Sequence, residues 1–311
     1  MSDIPLHHAL FYLLIFPGFA FAAAVGMVLS WVDRKVTARV QFRKGPPLLQ
    51  PLYDFLKLLG KETIVPAGGS RGAFLLAPAL GLAGVTLAAA YIGAAAFLPS
   101  VVGFSGDLIV VVYLLVLPSL AIILGGSASR NPLASVGASR EMKLVLAYEL
   151  PFILVLLVPI IQSGGKLQLG HLLAYQAEHG SFAWSISGVI ALILAIPIVQ
   201  AKLGLVPFDQ AEAETEIMGG AFIEYSGPPL ALFKLTKMMM LYTVPLFVVV
   251  VLWGGFNSVG LGIVKFLVLI VAAVVIRNTN PRLRIQHALK FFWGMWSPAA
   301  AGCVALALLG V

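Results

Sequence analysis

Long apolar stretches alternate with short polar ones along almost the whole chain. A helix needs about 20 mostly apolar residues to cross the hydrocarbon core of a membrane. Eight stretches reach about that length, at residues 10–32, 73–98, 108–128, 142–163, 184–204, 229–253, 259–277 and 291–310. The sequence therefore predicts an all-α polytopic membrane protein with about eight transmembrane helices, in which residues 1–311 form a single integral-membrane domain.

The polar segments between these spans carry most of the charge. If all eight helices cross the membrane, the loops at about 33–72, 129–141, 205–228 and 278–290 lie on one side. That side, with the adjoining helix ends, holds every Lys and Arg except Lys166 and Lys265. The positive-inside rule predicts that these long polar loops are cytoplasmic and that both termini lie on the outer side. The net charge of +7 follows from this bias, so nucleic acid is not an expected partner.

The composition agrees with a membrane protein and offers little redox chemistry. Hydrophobic residues make up 60% of the chain and charged residues 11%, whereas about a quarter of a soluble domain is charged. The first apolar stretch has no basic segment before it, which indicates a retained helix. The single cysteine, Cys303, lies in an apolar run, and the histidines are scattered. We therefore expect no catalytic residue, no metal site and no cofactor in this chain.

One polar segment is unusually acidic. Residues 207–227, "PFDQAEAETEIMGGAFIEYSG", hold five of the 13 acidic residues. Pro207 can begin a helix and Gly219–Gly220 can end it, and the spacing of Asp209, Glu212 and Glu216 would then place them on one helix face. The carboxylates either solvate a loop or lie partly buried. Burial raises carboxylate pKa values, so that protons can be held near neutral pH, as a proton path requires.

Glu149 lies in the apolar run "LVLAYELPFILVLL". An unpaired ionised carboxylate at membrane depth is costly, so we expect Glu149 to be protonated or paired with a Lys or Arg. Ionisable groups inside membranes are functional candidates, and the structural alternative is a simple ion pair.

The loop after the first span is dense in charge. Its second half, "LYDFLKLLGKE", is amphipathic and predicts a helix lying in the membrane interface. It either anchors the chain to the membrane or forms a surface on which a partner docks.

Four motifs together resemble those of the complex I membrane-arm subunit 1 family. They are "DRKVTARVQFRKGP", "SREMKLVLAYELP", the acidic segment and "RNTNPRLRIQHALKFFW", in the family's order. The resemblance implies an eight-helix subunit that joins a soluble redox arm to an ion-pumping membrane arm. It assigns the proton path to Glu149, Asp209, Glu212, Glu214, Glu216 and Glu224. It assigns coupling and docking to the redox module to Arg34, Lys35, Arg39, Asp54, Lys57 and Arg140. Glu141 joins this group only through its match to the hydrogenase-like pattern described next.

The pattern is closest to one branch of that family, the energy-converting (group 4) membrane-bound [NiFe] hydrogenases. The compact "GPPLLQP", the stretch "GASREMKLVLAYE" and Asp33 depart from the quinone-reducing branch. The branch resemblance implies the membrane-anchoring and coupling subunit of a ferredoxin-dependent, proton-reducing hydrogenase in a prokaryotic cell membrane, moving protons or sodium ions. The implied partners are membrane lipid, the [NiFe] large and small subunits, an iron–sulfur ferredoxin-like subunit and antiporter-like subunits, with the [NiFe] site and iron–sulfur clusters in those partners.

Two alternatives remain open. The first is the quinone-binding subunit 1 of a respiratory NADH:quinone oxidoreductase (complex I), which shares the architecture. The second is a stand-alone secondary transporter, against which the absence of an internal sequence repeat argues.

Overall fold

The computed structural model describes residues 6–98, 103–256 and 258–310, apart from the side chains at positions 214 and 215. This part of the chain is helical and contains no β-strand. Its α-helices are α1 Leu6–Leu14, α2 Phe19–Val40, α3 Gln50–Leu59, α4 Arg71–Phe97, α5 Asp107–Leu114, α6 Leu117–Ala128, α7 Pro132–Gln162, α8 Leu169–His179, α9 Ile186–Lys202, α10 Glu214–Ile217, α11 Gly227–Leu252, α12 Val259–Thr279, α13 Ile285–Lys290 and α14 Ser297–Leu308. Asp3 lies outside the described residues.

Each of the eight predicted spans corresponds to helical structure, which confirms the predicted fold class. Within the described residues, seven helical segments are long and apolar enough to cross a membrane. The first joins α1 and α2, the third joins α5 and α6, and the last runs from α13 through a π-helical turn into α14. The remaining span, predicted at 184–204, is the 17-residue helix α9. At about 1.5 Å per residue, α9 is about 25 Å long, which is slightly less than the hydrocarbon core.

Hydrogen bonds between loops and helix ends define the two ends of the bundle. At one end, Ser70 N donates to Ala128 O at 3.1 Å and Leu283 N donates to Pro207 O at 3.1 Å. We call this the basic end, because α3 and the acidic segment lie there among most of the Lys and Arg side chains. At the opposite end, the amide of Gln168 donates to Gly103 O at 2.8 Å. Which end faces the cytoplasm stays a prediction from the charge bias.

Helix α11 is the centre of the bundle. Its apolar part is 94% buried, because α2, α4, α9 and α12 pack around it. A Cβ at Gly26 of α2 would overlap the carbonyl oxygen of Met238, so the two backbones touch. Helix α7 packs against α6, α9 and α14. The tight packing fixes the positions of the polar side chains that α7, α9 and α11 contribute.

Helix α3 confirms the predicted amphipathic helix after the first span. Three of its apolar or aromatic side chains are exposed, Tyr53, Leu56 and Leu59, at 54%, 52% and 42%. The helix is tied to α2 by an ion pair in which Arg34 Nη1 lies 2.8 Å from Asp54 Oδ2. An exposed apolar face on an otherwise charged helix suits the membrane interface.

Candidate functional site

The acidic segment does not form the single short helix that its spacing predicts. It consists of a 3₁₀ turn at Gln210–Glu212, the four-residue helix α10 and a second 3₁₀ turn at Gly220–Phe222. Ala213 has non-helical backbone angles, and Met218 and Gly219 have positive φ. The predicted break at Gly219–Gly220 is confirmed. The prediction that Asp209, Glu212 and Glu216 share one helix face is wrong, because no single helix contains all three.

Tertiary contacts explain this irregular course. The side-chain amide of Gln210 donates to the carbonyl of Leu283, which holds the first turn against the loop before α13. On α7, a Cβ at Gly137 would lie 2.6 Å from Ala221 N and 2.9 Å from Ala211 O, so the segment rests directly on the helix backbone. These contacts outweigh the weak local preference for a helix, which a short segment cannot sustain alone.

The described acids of the segment each have a different polar partner. Asp209 pairs with Arg282 at 2.8 Å, Glu212 with Lys237, Glu216 with Arg140 at 2.5 Å, and Glu224 accepts from Asn131 at 2.6 Å. The side chain of Glu214 lies outside the described part of the chain. Pairing with separate partners replaces the mutual repulsion expected of a shared face. It also lets a cluster of carboxylates remain partly buried.

Asp209 is the most buried of these paired acids, with 11% of its side chain exposed. Burial raises the pKa of Asp209 above its ordinary value, although the neighbouring Arg282 opposes the shift. A carboxyl group with a raised pKa can accept and release a proton closer to neutral pH than a free aspartate.

Glu149 is ion-paired in the interior of the bundle. Its Oε1 lies 2.5 Å from Nζ of Lys202, and only 1% of the Lys202 side chain is exposed. The ammonium also lies 4.9 Å and 4.3 Å from the ring centres of Tyr148 and Phe152. At about 1.5 Å per residue, Glu149 is about 20 Å from the Gln162 end of α7, well inside the membrane-spanning part. Glu149 was expected to be either protonated or paired with a Lys or Arg, and in the structure it is paired with Lys202.

Two adjoining cavities connect the acidic segment to this buried pair. The larger, of about 380 Å³, is lined by charged side chains that include Asp33, Arg34, Lys234, Arg277 and Arg282. The smaller, of about 30 Å³, is lined by Ser119, Glu141 and Lys202. Both cavities share Asp209, Glu212 and Lys237 as lining residues. Ionisable groups thus continue from the basic end to Glu149.

The predicted docking residues divide into exposed and internal ones. Arg39 and Lys57 are exposed at the basic end, and Lys35 donates to Gly45 O at 3.5 Å. Partial burial would raise the pKa of Asp54, but hydrogen bonds from Arg34 and Gln50 outweigh it and hold this pKa below its ordinary value. Arg140 is engaged with Glu216. Glu141 is 5% exposed and lines the small cavity, so its side chain cannot form a docking surface.

Sequence reasoning missed three members of the site. Lys202 pairs with Glu149, Ser119 lies 3.4 Å from the Tyr148 hydroxyl, and Arg277 pairs with Asp33. A signal for Lys202 was present, because this lysine falls inside the predicted span 184–204. The other pairs join residues far apart in sequence, and no local pattern indicates them.

Comparisons with known proteins agree with this architecture over nearly the whole chain. A family model described as NADH dehydrogenase matches residues 12–308. A subunit of the NADH-quinone oxidoreductase of Dehalococcoides mccartyi strain CBDB1 is 30% identical over 313 residues, which cover 96% of this chain and 85% of that protein. The corresponding NADH-quinone oxidoreductase subunit of Thermomicrobium roseum is 35% identical over 299 residues, covering 88% and 87%.

A solved structure is also similar. A chain in the structure of the membrane-bound sulfane sulfur reductase, an archaeal respiratory membrane complex, superposes with a TM-score of 0.84 at 28% identity. The match covers 96% of this chain and 99% of that chain.

The fold and the comparisons together define a multi-pass membrane subunit of an oxidoreductase complex, located in a prokaryotic cell membrane. The chain belongs to the complex I-like NADH dehydrogenase family, which includes these NADH-quinone oxidoreductase subunits. The resemblance of its four motifs to the complex I membrane arm is thereby confirmed.

Proposed function

We propose that the chain couples a redox module, docked at its basic end, to ion translocation across the membrane. The observation that supports this proposal is the arrangement of ionisable side chains. From the large charged cavity they continue through Asp209 and Glu212 to the small cavity and the buried pair of Lys202 and Glu149.

Small local changes are sufficient to move protons along such an arrangement. A shift of one pKa unit corresponds to about 1.4 kcal/mol, and moving one charge against 100 mV requires about 2.3 kcal/mol. The small cavity, at about 30 Å³, has room for a water that could relay a proton between its polar lining groups. A redox event that moves charge near Arg34 or Asp209 would therefore change the proton affinity of the ionisable groups that line the small cavity and of the buried pair of Lys202 and Glu149.

The exposed residues of the basic end would bind the redox module. Arg39 and Lys57 have no ion-pair role within the described part of the chain that would compete with a partner. Arg34, Lys35 and Asp54 stabilise the packing of α2 against the following loop and α3, so they would hold this surface in shape.

The redox partner distinguishes two forms of this function. The names of the relatives favour the quinone-reducing complex over the hydrogenase, since the Dehalococcoides mccartyi and Thermomicrobium roseum proteins are both subunits of NADH-quinone oxidoreductases. We therefore take a subunit of an NADH:quinone-type complex as the first candidate. The hydrogenase remains the second candidate on two observations: the compact "GPPLLQP" loop, and the charged lining of the large cavity, which suits ions better than an apolar quinone.

Purification of the intact complex through a tag on this chain would separate the two forms. The first candidate predicts NADH-driven quinone reduction, inhibited by quinone-site inhibitors. The second predicts a [NiFe] large and small subunit, an iron–sulfur ferredoxin-like subunit and antiporter-like subunits, with hydrogen evolution from reduced ferredoxin that these inhibitors leave unchanged.

Ion uptake by the reconstituted complex tests the coupling role in either form. Glu212→Gln removes a titratable group shared by both cavities, and ion uptake per electron should fall while the complex still assembles, because a neutral amide is easier to bury than a charge. Glu178→Gln, at an exposed position far from this site, is the matched control. Equal uptake per electron in the two variants would remove the support for this path.

A further inference from the structure

The buried lysine Lys202 has a position that the proposed coupling role leaves unexplained. It is the last residue of α9, a helix of about 25 Å. Its side chain is 1% exposed, and desolvation makes a lone ammonium at this position costly. The negative end of the α9 dipole, Glu149 and the faces of two aromatic rings offset that cost.

Lys202 also lines the small cavity, whereas Glu149 is not among the residues that line it. The titratable and charged groups that face it are Glu149 and Tyr148 from α7, and Glu141, Asp209, Glu212 and Lys237 across the cavity. A proton that enters from the acidic segment therefore meets Lys202 before it reaches Glu149. A counterion needed only to neutralise Glu149 would not have to line that cavity.

We propose that Lys202 is a proton-transfer residue that links the acidic cavity to Glu149; this inference rests on the proposed coupling function. In the transfer, an N–H bond of the ammonium breaks and an O–H bond forms on Glu149, which leaves a neutral amine and a neutral carboxyl group. After Glu149 passes its proton on, the amine takes a proton from a carboxyl group or a water in the cavity. One proton moves and no electron is exchanged.

The geometry suits this exchange. At 2.5 Å between Nζ and Oε1, the proton has a short path between donor and acceptor. Desolvation penalises both charges of a buried ion pair, so the neutral hydrogen-bonded form is closer in free energy to the ionic form than it would be in water.

Lys202→Arg separates proton transfer from a static counterion role. Arginine keeps the positive charge and can still pair with Glu149, but it does not release its proton in proteins. We expect Lys202→Arg to assemble and its rate of proton uptake in vesicles to fall by about a hundredfold, the lower end of what a proton-transferring group contributes. Lys143→Arg, at an exposed position on α7, is the matched control and should behave as wild type. Wild-type uptake in Lys202→Arg would overturn the inference.

If the larger arginine prevents assembly, a second variant tests whether Lys202 transfers a proton. Lys202→His is smaller and titratable, with an unperturbed pKa of about 6.5. The inference predicts that it retains part of the uptake with a pH profile shifted toward the histidine range. Uptake with an unshifted, wild-type pH profile would overturn the inference. Glu149→Gln, measured in parallel, distinguishes failure of the proposed function from failure of the inference about Lys202. Normal proton uptake in Glu149→Gln contradicts the proposed function itself. Loss of uptake in Glu149→Gln together with normal uptake in Lys202→Arg contradicts only the role of Lys202.

Discussion

Asp209 of the acidic segment and Arg282 of the loop before α13 form an ion pair of 2.8 Å at the basic end of the bundle. The pair joins two regions that are far apart in sequence, and both side chains line the large cavity. Because burial raises the pKa of Asp209 and Arg282 opposes that shift, the protonation of this carboxyl group depends on its partner.

Arg282→Gln should raise the pKa of Asp209 further. A carboxyl group whose pKa is higher in the folded state stabilises the fold below its unfolded pKa, and that contribution is lost as pH rises through the folded pKa. The variant should therefore lose more thermal stability than wild type as pH rises from about 4, the ordinary aspartate pKa, toward neutrality. Thermal unfolding across this pH range measures it. The double variant with Asp209→Asn should lack the extra pH dependence, and its persistence there would show that another group is responsible.

Gly137→Ala should displace the acidic segment from α7. The added Cβ would lie within 3 Å of two backbone atoms, of Ala221 and Ala211, which cannot rotate away. Overpacking of this kind typically destabilises by about 1–3 kcal/mol. Gly302→Ala on α14 is the control, because a Cβ there meets nothing within 4 Å. Hydrogen exchange of residues 207–227 should accelerate in Gly137→Ala and not in Gly302→Ala. Equal exchange in both variants would contradict the close packing.

The charge bias predicts the orientation of the bundle. In a Cys303→Ala background, Glu178→Cys should react with a membrane-impermeant maleimide only from outside the cell, and Glu62→Cys only from the cytoplasmic side. Both positions are exposed, so labelling reports on the side of the membrane. Reaction of both cysteines from the same side would refute the eight-span orientation.

The sequence predicted the elements that depend only on the pattern of neighbouring residues. The apolar runs predicted the positions of the seven spanning segments and of the shorter helix α9 within the described residues, because a membrane span requires a long uninterrupted stretch. Amphipathic spacing likewise predicted α3. The one short span, α9, was predicted to 204 but ends at Lys202.

The ion-pair partners in the site could not be predicted, because they come from distant parts of the sequence. The acids of the segment were identified by their density, but their partners Arg140, Lys237 and Arg282 come from three other parts of the chain. Lys202 was counted among the basic loop residues, because its burial depends on where Glu149 lies, 53 positions earlier. Glu141 was grouped with the docking residues through its resemblance to the hydrogenase-like pattern, and a motif match does not reveal which face of α7 points inward.

If Glu149 lies on the proposed proton path, it changes its protonation state when the complex turns over. Redox-triggered infrared difference spectroscopy of the reconstituted complex detects this change directly, as a band in the carboxyl C=O stretching region. We expect a band in wild type that disappears in Glu149→Gln and persists in the exposed control Glu178→Gln. Identical difference spectra for wild type and Glu149→Gln would contradict the proposed path, since Glu149 would then be only a fixed partner of Lys202.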